Sequence, residues 1–362
     1  MRRKFEVLDA LRGFCALVVV LLHFSENYAV NGLSPILPHG CLAVEYFFIL
    51  TGFALSYAYD GRWDRMTLGG FFRRRLVRMQ PLVVIGSVIG AMCYLIAPGV
   101  YSGQVPGGGL NVGQVLLLAL WCCTMLPAPR SLGWVLLHPL QGPLWTMLYI
   151  YFANVLYALV LRHLKTWILG VLAVGAIGFT VWIGVMNGGF HGGPSWRWTR
   201  GANVGALARM AFPVLAGMVI ARKGWRIPTG RAGLWVCVAV LAGIFFAPNF
   251  LPDRTLNGLF ESAAVVIGMP LVLLCGVGGT IGNARLASVC RFLGAYSFPL
   301  YATHYSMTML NRAWIAAHPD APFAMHMAVA CSFAAFALMN GYVAMRLSEG
   351  LSSWFSKKEE GI

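Results

Sequence analysis

Apolar runs long enough to cross a lipid bilayer recur along the whole chain, separated by short polar or basic segments. A membrane helix needs about 20 mostly apolar residues, and within lipid each backbone hydrogen bond must be made inside the chain. The pattern therefore predicts an all-α fold, a polytopic membrane helical bundle with a single domain over residues 1–362. It predicts ten spans, over residues 8–24, 42–59, 81–97, 144–161, 166–186, 204–221, 233–247, 259–280, 291–311 and 322–345.

The stretch 113–126, VGQVLLLALWCCTM, is short for a span and is interpreted as re-entrant or interfacial. If it does not cross and the N-terminus is cytoplasmic, 21 of the 27 Lys and Arg residues fall in cytoplasmic segments. If it crossed, each later loop would invert and the positive-inside bias would be lost. We therefore predict both termini in the cytoplasm, with residues 98–143 and 187–203 outside. Trp196 and Trp198 in the latter loop suit either interfacial anchoring or stacking on sugar rings.

Composition changes this picture little. The chain is 59% hydrophobic and 11% charged, which excludes an average soluble domain. The net charge of +15 is explained by basic cytoplasmic loops, so no nucleic-acid partner is expected. The nine cysteines lie mostly in apolar runs without a C-x-x-C pair, which favours small core residues over a metal site or a disulfide framework. No cleaved signal peptide and no appended soluble domain are expected.

The first apolar run contains Arg12 and His23, which are the strongest functional signal in the sequence. Eleven residues of helix return to within ~20° of the same face, ~16 Å further along. Asp9 and Glu26 lie three residues outside this pair, a spacing that permits ion pairs. Ionisable groups inside a membrane are costly and usually face a functional interior. The alternatives are a snorkelling anchor for Arg12 and a structural hydrogen bond for His23.

The second and third spans add further charged candidates. Glu45, near the outer end of the second span, either orients a polar substrate or is solvated, and Gly52 permits close helix packing. The segment FFRRRLVRMQP precedes the third span, which Pro81 is expected to open. Its guanidinium groups suit either topogenic and lipid contacts or binding of phosphates, such as those of coenzyme A. The guanidinium groups of this segment belong to Arg73, Arg74, Arg75 and Arg78.

A polar stripe lies late in the chain, in RFLGAYSFPLYATHYSM. Ser297, Tyr301 and His304 follow helical spacing and form either a second wall of a site or internal helix–helix hydrogen bonds. Pro299 is expected to kink this helix. Arg209 is a further cation within a predicted span.

Four motifs in order resemble the membrane acyltransferase-3 family, the O-acetyltransferases of bacterial surface carbohydrates. LDALRGFCALVVVLLHF has the family's arginine–ten residues–histidine signature, and VEYFFILTGF matches its V-[DE]-x-F-F-x-x-S-G-F motif with Thr51 in place of serine. FFRRRLVRMQP and FLGAYSFPLYATHY match its basic loop and its late motif. One departure is clear: in GPLWTMLYIYFAN, Ile150 stands where the family usually has glutamate.

The resemblance implies acyl transfer from cytoplasmic acyl-CoA, with acetyl-CoA the leading candidate, to a carbohydrate hydroxyl, without a permanently bound cofactor. The four arginines of the basic segment would hold the CoA phosphates, and Arg12 would meet the donor at the cytoplasmic mouth. His23 would be the general base or briefly hold the acyl group, with Glu26 or Glu45 in place of the missing acid. His304 and Tyr301 would orient the acceptor or stabilise the oxyanion.

The expected setting is the bacterial inner membrane. The expected partners are membrane lipids, a carbohydrate acceptor and proteins of polysaccharide synthesis or export. The competing hypothesis is a transporter, a flippase or a structural subunit of a polysaccharide-export system, in which the intramembrane charges form a substrate or proton path.

Overall fold

A computed structural model describes residues 4–29, 36–101, 109–129, 136–191, 202–250 and 253–360. Within these ranges the chain forms α-helices and short 3₁₀ turns without a β-strand, which confirms the all-α prediction. The helices are α1 Glu6–Ser25, α2 Ala43–Tyr59, α3 Leu68–Ile96, α4 Val112–Cys122, α5 Trp145–Leu159, α6 Thr166–Asn187, α7 Ala202–Lys223, α8 Gly233–Phe245, α9 Arg254–Ala263, α10 Met269–Gly278, α11 Ala284–Thr303, α12 Tyr305–Ala317 and α13 Phe323–Glu360.

Seven helical segments of the described chain are long and apolar enough to cross a membrane: Glu6–Tyr28, Gly40–Arg65, Leu68–Ile96, Thr166–Asn187, Val204–Lys223, Arg254–Gly278 and Phe323–Leu351. Three other spans were predicted. Those over residues 144–161 and 233–247 form the shorter helices α5 and α8, and the one over residues 291–311 is divided between α11 and α12. α4 has 11 residues and is therefore ~16 Å long, about half of the hydrocarbon core. The aromatic residues Trp196 and Trp198, and Arg130, Arg197 and Arg200, lie outside the described residues.

The basic segment before the third span is part of the helix, in contrast to the predicted loop. α3 begins at Leu68, after Thr67 accepts a hydrogen bond from the Gly70 amide, and it continues through Pro81. Proline removes one backbone hydrogen bond but its φ is compatible with a helix, and membrane helices tolerate it when neighbouring groups satisfy the freed carbonyl. The arginines therefore project from a rigid helix at defined angles.

The late polar helix is interrupted at His304, the last residue of the predicted polar stripe, five residues after Pro299. α11 runs through Pro299 and ends at Thr303, and α12 begins at Tyr305. The Thr303 hydroxyl bonds the Pro299 carbonyl at 2.9 Å, and His304 Nδ1 bonds the Tyr301 carbonyl at 2.9 Å. Side-chain donors thus compete for the carbonyls of the last turn, which breaks the backbone ladder there.

Small residues bring the central helices into close contact. α1 packs along α11, and α2 packs along α7. A Cβ placed on Gly52 of α2 would lie 2.0 Å from the Val214 carbonyl oxygen, and one on Gly217 of α7 would lie 2.1 Å from the Ile49 oxygen. This confirms the predicted packing role of Gly52 and is typical of helix pairs in membranes. The close packing fixes α2 beside α7, and α2 contributes residues to both cavities of the candidate site.

Candidate active site

Two cavities lie one after the other along α1. The first, called here the cationic cavity, has a volume of about 160 Å³ and is lined at its polar end by Arg12, Arg75 and Arg78. The second, the histidine cavity, has a volume of about 200 Å³ and is lined by His23 and Glu26. The eleven-residue spacing on α1 therefore places its two ionisable groups in two separate, successive chambers.

The cationic cavity brings together residues that are far apart in the sequence. The Arg12 Nη2 atom lies 3.4 Å from Asp9, as the spacing predicted, and also donates to the Gly294 carbonyl on α11. The Nε–H groups of Arg12 and Arg75 are buried and have no acceptor within the described chain. None of the described residues that line this cavity is acidic. The cavity can therefore bind an anion through charge-assisted hydrogen bonds.

The basic segment divides between two faces of α3. Arg75 and Arg78 line the cationic cavity, whereas Arg73 and Arg74 do not. Arg75 and Arg78 are three positions apart and share a helix face. Arg74, although four positions before Arg78, does not line the cavity. The structure thus brings only half of the predicted arginine cluster into the site.

In the histidine cavity, His23 and Glu26 form a close pair. His23 Nδ1 lies 2.7 Å from the Glu26 Oε2 atom. A carboxylate accepts the proton of Nδ1, so the neutral ring has its lone pair on Nε2. This tautomer is the one that can remove a proton from a hydroxyl group. The predicted alternative role of Glu26 as the partner of His23 is consistent with this geometry.

Aromatic rings fix the orientation of His23. The His304 ring stacks on it with 5.4 Å between ring centroids, and the Tyr305 ring meets it edge-on at 5.3 Å. His304 is fully buried, and its Nδ1 bonds backbone carbonyls of its own helix. His304 therefore lies behind His23, away from the cavity lining, and Tyr305 is a contact that the sequence analysis did not single out.

Tyr301 lines both cavities and lies between them. Its hydroxyl accepts a hydrogen bond from Thr146 at 2.8 Å and donates one to the Pro143 carbonyl at 3.1 Å. Ser297, one turn earlier, lines the cationic cavity only. The three residues of the predicted polar stripe therefore have different positions. Ser297 is in the wall of the cationic cavity, Tyr301 separates the two cavities, and His304 supports the His23 ring.

Glu45 is buried and paired, so its interpretation as a solvated residue was wrong. Both of its carboxylate oxygens accept hydrogen bonds from Arg209 on α7, one through Nε and one through Nη2 at 3.2 Å. Arg209 lines the histidine cavity and also donates to the Cys41 carbonyl at 3.0 Å. A membrane interior makes an unpaired charge costly, which explains why the two groups from adjacent helices meet. Glu45 therefore holds Arg209 in place.

Ile150, at the position where the family usually has an acid, lies in the wall of the cationic cavity. It is on α5, whose neighbour Thr146 bonds Tyr301. The departure from the family pattern is therefore on the arginine side of Tyr301, and the pair of His23 and Glu26 is formed without it.

A second polar cluster borders the histidine cavity and was missed from the sequence. Cys41, interpreted as a small core residue, lines this cavity and has its sulfur 3.8 Å from His191 Nδ1. His191 Nε2 lies 3.2 Å from the buried carboxylate of Glu261, which also binds His39 at 2.8 Å. The available signal was Glu261, an acid within the predicted span 259–280.

The sequence comparisons agree with this architecture. A family model described as an acyltransferase domain matches residues 5–339. A protein of Rhizobium radiobacter named protein 2 in the picA locus is 30% identical over 161 residues, which cover 43% of this chain and 81% of that protein. The acyltransferase MdmB of Streptomyces mycarofaciens is 31% identical over 137 residues, 36% of this chain and 33% of that protein. No solved structure matches the chain.

The family model spans almost all of the helical bundle, including both cavities and the helices that line them. This multi-pass membrane protein is therefore an acyltransferase. The chain belongs to the membrane acyltransferase-3 family.

Proposed function

We propose that this acyltransferase moves an acetyl group from cytoplasmic acetyl-CoA to a hydroxyl group of a cell-surface or exported carbohydrate, at the bacterial inner membrane. The observation that supports this most is the succession of two cavities along α1. One is bordered by three arginines and the other by the pair of His23 and Glu26. A charged thioester donor and a neutral hydroxyl acceptor need two such chemically different chambers.

The cationic cavity is suited to the donor. Arg12, Arg75 and Arg78 present guanidinium groups, which match the phosphates of coenzyme A through bidentate contacts. The remaining lining residues are largely apolar and include Phe47, which meets the Tyr301 ring edge-on at 5.7 Å. We propose that the nucleotide end stays among the arginines while the thin pantetheine arm extends past Tyr301 into the histidine cavity.

The histidine cavity is suited to the acceptor. His23 Nε2 would take the proton of the acceptor hydroxyl as its oxygen attacks the acyl carbonyl, and Glu26 would stabilise the imidazolium that forms. The proton then passes to the departing thiolate. General base catalysis of this kind contributes roughly 10²–10⁴-fold in rate. Arg209, held by Glu45, places a fixed positive charge on the same cavity wall.

The first prediction follows from this role of His23. His23→Ala should lower the rate of acetyl transfer roughly 10²–10⁴-fold while the protein remains inserted. The measurement is mass spectrometry of surface glycans from cells that express the wild type, the variant or no copy of the gene, with membrane levels matched by immunoblot. His163→Ala, an exposed histidine outside both cavities, is the control and should acetylate normally. Wild-type acetylation by His23→Ala would contradict the proposed role.

A further inference from the structure

Next to the proposed base, the histidine cavity contains a second set of reactive side chains. Cys41 is in the turn Gly40–Leu42 just before α2, and its thiol borders the same cavity as His23. The Cys41 sulfur, His191 and Glu261 follow one another in space, with 3.8 Å from sulfur to Nδ1 and 3.2 Å from Nε2 to the carboxylate. In this order the three residues have the arrangement of a nucleophile, a base and a group that orients the base.

The backbone is shaped to bring His191 to this place. After α6 ends, Gly188 and Gly189 adopt φ angles of +71° and +124°, which residues with a side chain rarely adopt. A Cβ on Gly189 would also lie 2.6 Å from the Glu261 Oε2 atom. The turn thus lets the chain pass directly over the carboxylate, and His191 then reaches the thiol.

The carboxylate of Glu261 is held on both oxygens. Oε2 accepts a hydrogen bond from the Phe190 amide at 2.5 Å, and Oε1 binds His39 at 2.8 Å, with both side chains of the latter pair fully buried. A carboxylate fixed in this way can hold the His191 ring in one orientation. The Cys41 sulfur, and after it Glu261, raise the pKa of the His191 imidazole against the effect of burial. That environment favours the protonated form of the ring.

A metal ion is a less suitable occupant of this cluster. Cys41, His191 and Glu261 are close enough for three ligand atoms to surround one ion. However, the thiol lies at Nδ1 and the carboxylate at Nε2, which are on different sides of the ring. One ion can bind only one of these nitrogens, so the ring would have to turn. The observed orientation of the His191 ring fits proton transfer between Cys41 and His191, with Glu261 at the other ring nitrogen.

We propose that Cys41 is the acyl-accepting nucleophile of a two-step transfer, with His191 as its base and Glu261 as the residue that positions the base. This rests on the proposed function. In the first step the Cys41 sulfur attacks the acyl carbonyl, the carbon–sulfur bond to coenzyme A breaks, and His191 passes the thiol proton to the departing thiolate. In the second step the acceptor oxygen attacks the Cys41 thioester, its proton passes to His23, the carbon–sulfur bond to Cys41 breaks, and His23 returns that proton to the departing Cys41 thiolate, so that both residues regain their starting state.

Exchange of one thioester for another is nearly balanced in energy, so an acyl–enzyme can accumulate without an acceptor. The test is to incubate the purified full-length protein in detergent with radiolabelled acetyl-CoA alone, quench with acid, and map the label by peptide mass spectrometry. We expect one acetyl group on the peptide of Cys41, released by neutral hydroxylamine. Cys41→Ser should lower thioester labelling at least about 100-fold, and Cys331→Ala, an exposed cysteine on α13, should leave it unchanged.

The roles of His191 and Glu261 have a separate readout. His191→Gln and Glu261→Gln should slow alkylation of Cys41 by iodoacetamide at neutral pH about tenfold or more, because less thiolate forms. Alkylation of Cys331 in the same samples should not change. Unchanged Cys41 alkylation in both variants would overturn the assignment of the base. This readout does not depend on a correctly identified donor or acceptor.

Three results would overturn the proposal. One is wild-type turnover of Cys41→Ser in cells, where surface-glycan acetylation can be measured as for His23. The second is turnover by the wild type without a labelled Cys41 peptide. The third is stoichiometric zinc in the purified protein that disappears in Cys41→Ser, measured by elemental analysis. If the wild type neither labels nor acetylates glycans, the proposed function itself fails, and this outcome is distinct from the other three.

Discussion

At the scale of single residues, the site depends on pairs that neutralise charge within the membrane. His23 is paired with Glu26 on its own helix, whereas Glu45 is paired with Arg209 on another helix. The first pair follows from a spacing of three residues and was predictable. The second joins residues 164 positions apart and became visible only in the folded structure.

Glu26 should matter through its effect on the His23 ring. Glu26→Gln removes the charge that stabilises the imidazolium and allows the amide to donate to Nδ1, which would move the ring proton to Nε2. We expect the rate of acetyl transfer to fall at least about tenfold with little change in protein level. Glu349→Gln, which alters an exposed pair with Arg346, is the matched control. Equal glycan acetylation in both variants would contradict the assignment.

The buried pair of Glu45 and Arg209 should contribute to stability mainly through the cost of leaving one charge alone. Arg209→Met should lower the free energy of unfolding by ~3–5 kcal/mol, and the double variant Glu45→Leu/Arg209→Met should recover most of it. Thermal unfolding of the detergent-solubilised protein is the measurement. Arg346→Met, in an exposed pair, should cost at most ~1 kcal/mol. A double variant as unstable as Arg209→Met would show that the unpaired charge of Glu45 is not the cause of the lost stability.

At the scale of helices, α3 decides which basic residues line the cationic cavity, the proposed donor site. Arg75 and Arg78 line the cationic cavity, and Arg73 and Arg74 do not. The sequence-based prediction treated all four arginines as equivalent, because it interpreted this segment as a loop. As a helix, the same segment points its arginines in different directions.

Substitutions along α3 should therefore differ in their effect on donor binding. Arg75→Ala or Arg78→Ala removes a charged hydrogen-bond donor worth ~1.5–3 kcal/mol, so the KM for acetyl-CoA should rise roughly 10–150-fold. Arg73→Ala and Arg74→Ala, two matched changes on the same helix, should stay within about twofold of wild type. The measurement is steady-state release of CoA by the purified protein. Equal effects at all four positions would indicate a general electrostatic field instead of a binding site.

At the scale of the whole molecule, the two cavities make the two ends of the bundle chemically different. Arg12 is in the first half of α1 and His23 is in its last turn, so the cationic cavity and the histidine cavity lie at different levels along this helix. The predicted orientation places the arginine end towards the cytoplasm, where acyl-CoA is made.

Reporter fusions test this orientation. A fusion after Arg226 should be cytoplasmic, and one after Asp320 should be extracytoplasmic, because the basic loops are retained inside the cell. Green fluorescent protein, which fluoresces inside, and alkaline phosphatase, which is active outside, give opposite readings at each site. Alkaline phosphatase activity after Arg226, or its absence after Asp320, would invert the orientation and place the arginines on the wrong side for the donor.

The sequence by itself determined the all-α membrane class, the family, and the shared face of Arg12 and His23, because hydropathy and helical spacing are local properties. It also indicated Glu26 as the partner of His23. Only the tertiary structure decided which arginines meet Arg12, that Glu45 pairs with Arg209, and that Cys41 faces His191. These contacts join distant segments, and their geometry depends on how the helices that carry them pack together, such as α2 against α7 and α3 against α11.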